Sequence, residues 1–121
     1  MRIKFWGTRG SFAKPGPTTL RYGGNTSCVE VRCGTDILIF DAGTGIRPLG
    51  LSLMREFAGQ PLTVHLFLSH THWDHIQGFP FFTPAYAPTT TIHFYGSTGQ
   101  GRPLEKIIRG YLIGILGVAA L

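Results

Sequence analysis

The sequence predicts an α/β fold of the α+β kind, and three observations carry the prediction. Five short runs read as strands: Arg2–Trp6, Thr26–Arg32, Ile37–Phe40, Val64–Ser69 and Thr91–Tyr95. Between the third and fourth lies a helical stripe, Leu49, Leu53, Met54 and Phe57, spaced to share one face. Seventeen glycines and eight prolines fit short strands joined by loops and argue against a long helical bundle. At 121 residues, 43% hydrophobic and with a mean hydropathy of +0.13, the chain is globular and forms one domain or part of one.

Arg2–Trp6 alternates charged and apolar residues, as an opening strand with one wet face does. Gly7–Ser11 is a glycine-rich loop without the spacing of a P-loop. Pro15, Gly16 and Pro17 make the next stretch irregular, and Tyr22–Asn25 is a turn. In Thr26–Arg32, Cys28, Glu30 and Arg32 share one parity and Val29 and Val31 the other. Gly34–Asp36 is a hairpin turn, and the wholly apolar Ile37–Phe40 reads as a central strand. Ile46–Phe57 is a helix with Pro48 in its first turn and Gly59-Gln60-Pro61 as its stop. After the fourth strand, Ile76–Pro88 holds three prolines and several aromatics, as short turns packed together do. Ser97–Arg102 is a loop and Pro103–Arg109 a short helix.

Chemistry concentrates where the fourth strand ends. His70-Thr71-His72-Trp73-Asp74-His75 places four metal-capable side chains within six positions. Extended backbone past Ser69 puts His70, His72 and Asp74 on one side, whereas a helix would turn His70 and His72 apart. A tight turn or a helix start is then needed to bring Asp74 and His75 together. Imidazoles with one carboxylate suit zinc, and also iron or manganese. Asp41 ends the third strand, where a carboxylate needs hydrogen bonds to be buried. His65 and His93 sit in mid-strand and read as ordinary strand histidines; Arg9 reads as a surface arginine, with substrate contact as the alternative.

The form HxHxDH of residues 70–75, with Tyr22–Val31 and Ile37–Gly45, resembles the metallo-β-lactamase-fold hydrolases. The resemblance covers about residues 1–110 and points to the phosphodiesterase-like branch that includes ribonuclease Z and the phosphoribosyl cyclic phosphodiesterases. It implies the N-terminal half of a four-layer αβ/βα sandwich, one mixed sheet with helices on one face. It implies two divalent ions, zinc first, with manganese or iron as alternatives: His70 and His72 on one, Asp74 and His75 on the other. Asp74 takes a catalytic role as well, and Asp41 braces the metal loop. The implied reaction is phosphodiester hydrolysis by a metal-bound hydroxide, with thioester or lactam hydrolysis as the alternative chemistry. Relatives take further ligands from a second half. Residues 111–121 depart from the pattern as an apolar tail too short for a membrane span of about 20 residues. A truncated, non-catalytic half-domain with a partial metal site is therefore the competing reading, with a homodimer formed through the face that the missing half leaves open.

Eleven Lys and Arg against six Asp and Glu give +5, which suits an anionic small-molecule or RNA phosphodiester substrate; with the apolar tail too short to span, no membrane partner is expected. The excess is dispersed, with no basic run, and stacking aromatics interleaved with cations are not evident. Cys28 and Cys33 on one extended strand lie roughly 16 Å apart, beyond the roughly 7 Å a disulfide spans. With no signal peptide after Met1, the expected compartment is cytoplasmic.

Overall fold

A computed structural model describes residues 1–97 and 101–116. Its centre is a five-stranded mixed sheet in the order β1-β2-β3-β4-β5: Arg2–Gly7, Cys28–Cys33, Asp36–Phe40, Leu62–Leu68 and Thr90–Gly96. The first three strands run antiparallel and β3, β4 and β5 run parallel. Parallel neighbours need a crossover, and helix α1, Ile46–Phe57, supplies it between β3 and β4. A four-residue helix α2, Trp73–Ile76, follows β4, and α3 spans Leu104–Leu116.

The helices cover one face of the sheet. Cys28, Ile37, Ile39, Val64 and Leu66 point into it and meet Ile46, Leu49 and Leu53 of α1. Each such leucine, fully buried, contributes about 1.5–3 kcal/mol. Phe82, from the proline-rich turns after α2, closes the core beneath Gly50, where a Cβ would lie 2.9 Å from the Phe82 ring. Phe79 and Phe82 of that segment are therefore packing groups, whereas Phe81 and Tyr86 are largely exposed. Two of the predicted strand positions change role. Ile3 and Phe5 lie on the opposite face, 52% and 67% exposed. The inward positions of β1 belong instead to Lys4 and Trp6, because Trp6 Nε1 donates to the buried Glu30 at 2.8 Å.

Among the described residues, the opposite face carries no helix. Phe5, Val29, Phe40, Phe67 and Tyr95 stand in register across all five strands. Phe40 stacks on Phe67 at 5.2 Å and Phe67 on Tyr95 at 4.5 Å. The next row includes His65 stacked on His93 at 5.1 Å, with His65 Nδ1 3.0 Å from the Tyr95 hydroxyl.

Several boundaries differ from the sequence expectation, by one or two residues in β1, β2 and β5 and as follows elsewhere. Asp36 joins β3, leaving Gly34 and Thr35 as the turn. β4 starts at Leu62 and ends at Leu68, one residue before Ser69. α3 does not stop at Arg109 but continues through residue 110 to Leu116, because Tyr111 and Leu112 keep packing against the core. Residues 98–100 of the expected loop and 117–121 of the apolar tail lie outside the described residues. Among the described residues, no helix is long and apolar enough to cross a membrane. Cys28 and Cys33 are free thiols, and burial pushes the Cys28 thiol far up.

Arg32 ties the sheet to the last turn of α1 through two bonds to Glu56, 3.0 and 2.8 Å. The Arg32 bond holds the Glu56 carboxyl below its usual range. A carboxyl depressed in the folded state adds stability that is present at neutral pH and lost as pH falls through its folded value. Glu56 is half exposed, so solvent screens the pair and the gain stays below about 1 kcal/mol. Glu56→Gln is expected to lose that increment at pH 7 and nothing below the carboxylate range. Urea midpoints at pH 7 and pH 3 check it; equal losses at both would point to packing.

Candidate metal centre

The histidine loop is held by backbone before it is held by side chains. The Ala42 amide donates to the His75 carbonyl at 2.8 Å, Gly78 to Ala42 at 2.9 Å, and Gly43 to Ser27 at 2.8 Å. This stitches α2 against the turn that ends β3. The approach leaves no room for a side chain at Gly43, where a Cβ would lie 2.5 Å from the Asp74 carbonyl oxygen.

Asp41 sits at the centre of this seam, 7% exposed, in the left-handed region at φ 64°. Asp is among the few residues that enter this region readily. Its carboxylate accepts the Ser69 amide at 2.8 Å and the Ser69 hydroxyl at 2.9 Å, with Ser27 Oγ more distant at 3.4 Å. His75 Nδ1 lies 2.9 Å from Asp41 Oδ2.

These contacts set the imidazole tautomers. A carboxylate accepts only, so His75 carries its proton on Nδ1 and leaves Nε2 free. Ser69 has one hydroxyl proton, given to Asp41, so its oxygen accepts from His70 Nδ1 at 3.0 Å. His70 Nε2 is then free as well. The rings gather, with His70 centred 4.0 Å from His75 and 4.5 Å from His72. Asp74 and His75 meet through the helix start, not by strand parity, because His72 is extended (φ −61°, ψ 149°) and Trp73–Ile76 is helical. The Ser11 amide donates to Asp74 Oδ2 at 3.0 Å, and this bond holds the Asp74 carboxyl below its usual range.

His75 Nε2 stands 3.4 Å from Asp74 Oδ2. With Nδ1 protonated, this sets a lone pair against a carboxylate oxygen, an arrangement that a shared cation or proton relieves. The donor chemistry therefore suits a divalent cation. The donor count is partial: among the described residues, no three His, Cys, Asp or Glu are grouped to hold one ion. His65 and His93 lie on the open sheet face, away from this loop.

Three contributors escaped the sequence reading. Ser69 relays between Asp41 and His70, and its place before the motif was the only sequence signal. Ser11 reaches Asp74 across 63 residues, which only folding reveals. Arg102, carried back by the segment before α3, joins His70, His72 and Ser97 around an open cavity of about 410 Å³.

No protein-family model matches the chain. Ribonuclease Z of Haloarcula marismortui is 40% identical over 80 residues, 66% of this chain and 22% of that protein. Ribonuclease Z of Methanosarcina mazei is 38% identical over 80 residues, 66% of this chain and 23% of that protein. The crystal structure of the short form of human tRNase Z superposes with a TM-score of 0.56 at 23% identity, over 93% of this chain and 40% of that one. The chain is a ribonuclease Z-like relative with the metallo-β-lactamase fold. It corresponds to the N-terminal part of such a protein, and its match spans under a quarter of the length of the curated relatives. In this ribonuclease Z-like chain, the mixed sheet with helices on one face is the expected half-sandwich, and the histidine loop lies at the end of a parallel strand.

Proposed function

We propose that this ribonuclease Z-like chain carries the first part of a phosphodiesterase site acting on RNA. The observation that supports it is the Asp74–His75 pair, oriented by Asp41, beside His70 and His72. His70 and His72 would hold one divalent ion, and Asp74 with His75 a second, zinc suiting three imidazoles and a carboxylate. Such ions, when bound, neutralise charge on an attacked phosphate and acidify water. Asp41 and Ser69 fix the two Nδ1 protons, so that the Nε2 atoms of His70 and His75 point free. Asp74, kept ionised by the Ser11 amide, orients the attacking water by accepting its hydrogen bond. Arg102 faces the substrate phosphate across the cavity. The free thiols suit a reducing, cytoplasmic setting.

The test is hydrolysis of bis-(4-nitrophenyl) phosphate against a thioester by the zinc-supplemented chain. Phosphodiester turnover is expected, falling at least about 100-fold in His72→Ala, the range of losing a principal electrostatic group. Unchanged turnover in His72→Ala, or thioester turnover alone, overturns it.

The partial donor set favours a second reading, a half-domain without activity of its own. Its open face, with Phe5, Phe40, Phe67 and Tyr95, then pairs with a second copy. Zinc content measured together with oligomeric mass separates the two. A zinc-free dimer supports the half-domain, and two zinc ions per chain support the enzyme.

A further inference from the structure

Asp and Glu are absent from the first 29 residues, which hold five of the eleven Lys and Arg; the remaining six cations and six carboxylates balance. The chain's whole formal excess thus belongs to its N-terminal segment, although no run of cations marks it. Lys4 is engaged over the Trp6 ring at 3.8 Å. Arg9, Lys14 and Arg21 lie on the loop between β1 and β2.

That loop is closed on itself. The Arg9 amide donates to Asn25 at 3.0 Å, Lys14 to Gly24 at 2.9 Å, and Thr19 Oγ1 to the Lys14 carbonyl at 2.6 Å. It surrounds an open cavity of about 290 Å³ lined by Thr8, Arg9, Thr18, Arg21, Tyr22 and neighbouring backbone, with no carboxylate. Arg9 Nε donates to the Phe12 carbonyl at 2.9 Å, which fixes the guanidinium and leaves its terminal amino groups for a ligand. Each arginine lies over an aromatic ring: Arg9 over Phe12 at 5.0 Å and Arg21 over Tyr22 at 5.2 Å. Those rings face solvent, 58% and 74% exposed.

Guanidinium groups beside hydroxyls recognise phosphate. Exposed rings paired with arginines are stacking platforms for unpaired bases. A free phosphate uses only the first feature, whereas a nucleic acid strand uses both. The loop also reaches the metal centre, since the Ser11 amide holds Asp74. Arg9 is two residues from Ser11, at most about 7 Å along the chain, so the cavity lies within reach of a strand seated at the histidine loop.

The geometry points to a second phosphate subsite for single-stranded RNA here, with Arg9 and Arg21 on a non-reacting phosphate and Tyr22 stacking a neighbouring base. This deepens, and rests on, the reading of the chain as a phosphodiesterase acting on RNA. The experiment follows backbone amide NMR shifts of the full chain in EDTA, titrated with a five-nucleotide oligouridylate and separately with inorganic phosphate. Shifts at Thr8, Arg9, Arg21 and Gly23 are expected with the oligonucleotide. Arg21→Gln should weaken binding about fivefold or more and reduce the logarithmic salt slope by about 0.7, one single-strand phosphate contact. Tyr22→Ala should weaken the oligonucleotide and leave phosphate unchanged, and Arg55→Gln on α1 should do neither. Shifts confined to residues 70–75, equal binding by Arg21→Gln, or a response to phosphate without the oligonucleotide overturns the subsite. Hydrolysis of bis-(4-nitrophenyl) phosphate is scored in parallel. Its absence with cavity binding intact fails the phosphodiesterase reading alone, and its presence without cavity binding fails the subsite alone.

Discussion

Asp41→Ala is expected to cost about 3–5 kcal/mol of stability and, in the same variant, to weaken zinc binding by about 10–100-fold. The stability loss has two sources. Ser69 loses the acceptor for both its amide and its hydroxyl, and His75 loses the partner of Nδ1. Ser69 is exposed, so water takes up part of the loss and each donor costs about 1 kcal/mol, the low end for an unpaired group. Alanine at φ 64° adds about 1–2 kcal/mol, because its Cβ crowds the following carbonyl. The zinc loss follows from the tautomers, since His75 is free to turn, or to carry its proton on Nε2, once Asp41 no longer holds Nδ1. Asp41→Asn separates the two, because asparagine tolerates the left-handed backbone but brings no charge. It should recover much of the stability and less of the zinc affinity. Urea unfolding and calorimetric zinc titration measure both, and a variant with wild-type values in each would remove Asp41 from the centre.

Glu30→Ala carries the second large effect, about 3–5 kcal/mol at neutral pH. Glu30 is 2% exposed on the covered face of β2, where it accepts Trp6 Nε1 and pairs with Arg32. Truncation leaves the indole N–H and the partly buried guanidinium without their Glu30 partner. Arg32 retains Glu56, which keeps the loss near the lower end. Glu30→Gln still accepts from Trp6 and should cost less. The urea midpoint gives the size and Trp6 fluorescence the location. A loss below about 1 kcal/mol in Glu30→Ala would mean that water already reaches the pair.

The α1 crossover was legible because its stripe repeats at a helical spacing and its ends carry Pro48 and Gly59. The end of α3 was not, since residues 110–116 are apolar all round and periodicity gives no stop there. β1 shows the limit of alternation. Ile3 and Phe5 looked like the buried side, yet Glu30 draws Trp6 inward and turns them to the open face.

The sequence by itself determined the mixed strand-and-helix architecture, the HxHxDH loop and the carboxylate at Asp41, because local spacing and burial of charge are encoded within a few residues. Tertiary structure alone decided that Ser11 holds Asp74, that Arg102 faces His70 and His72, and that Arg9 and Arg21 line one cavity. Those contacts join segments distant along the chain, and spacing carries no information about which loops a folded sheet brings side by side.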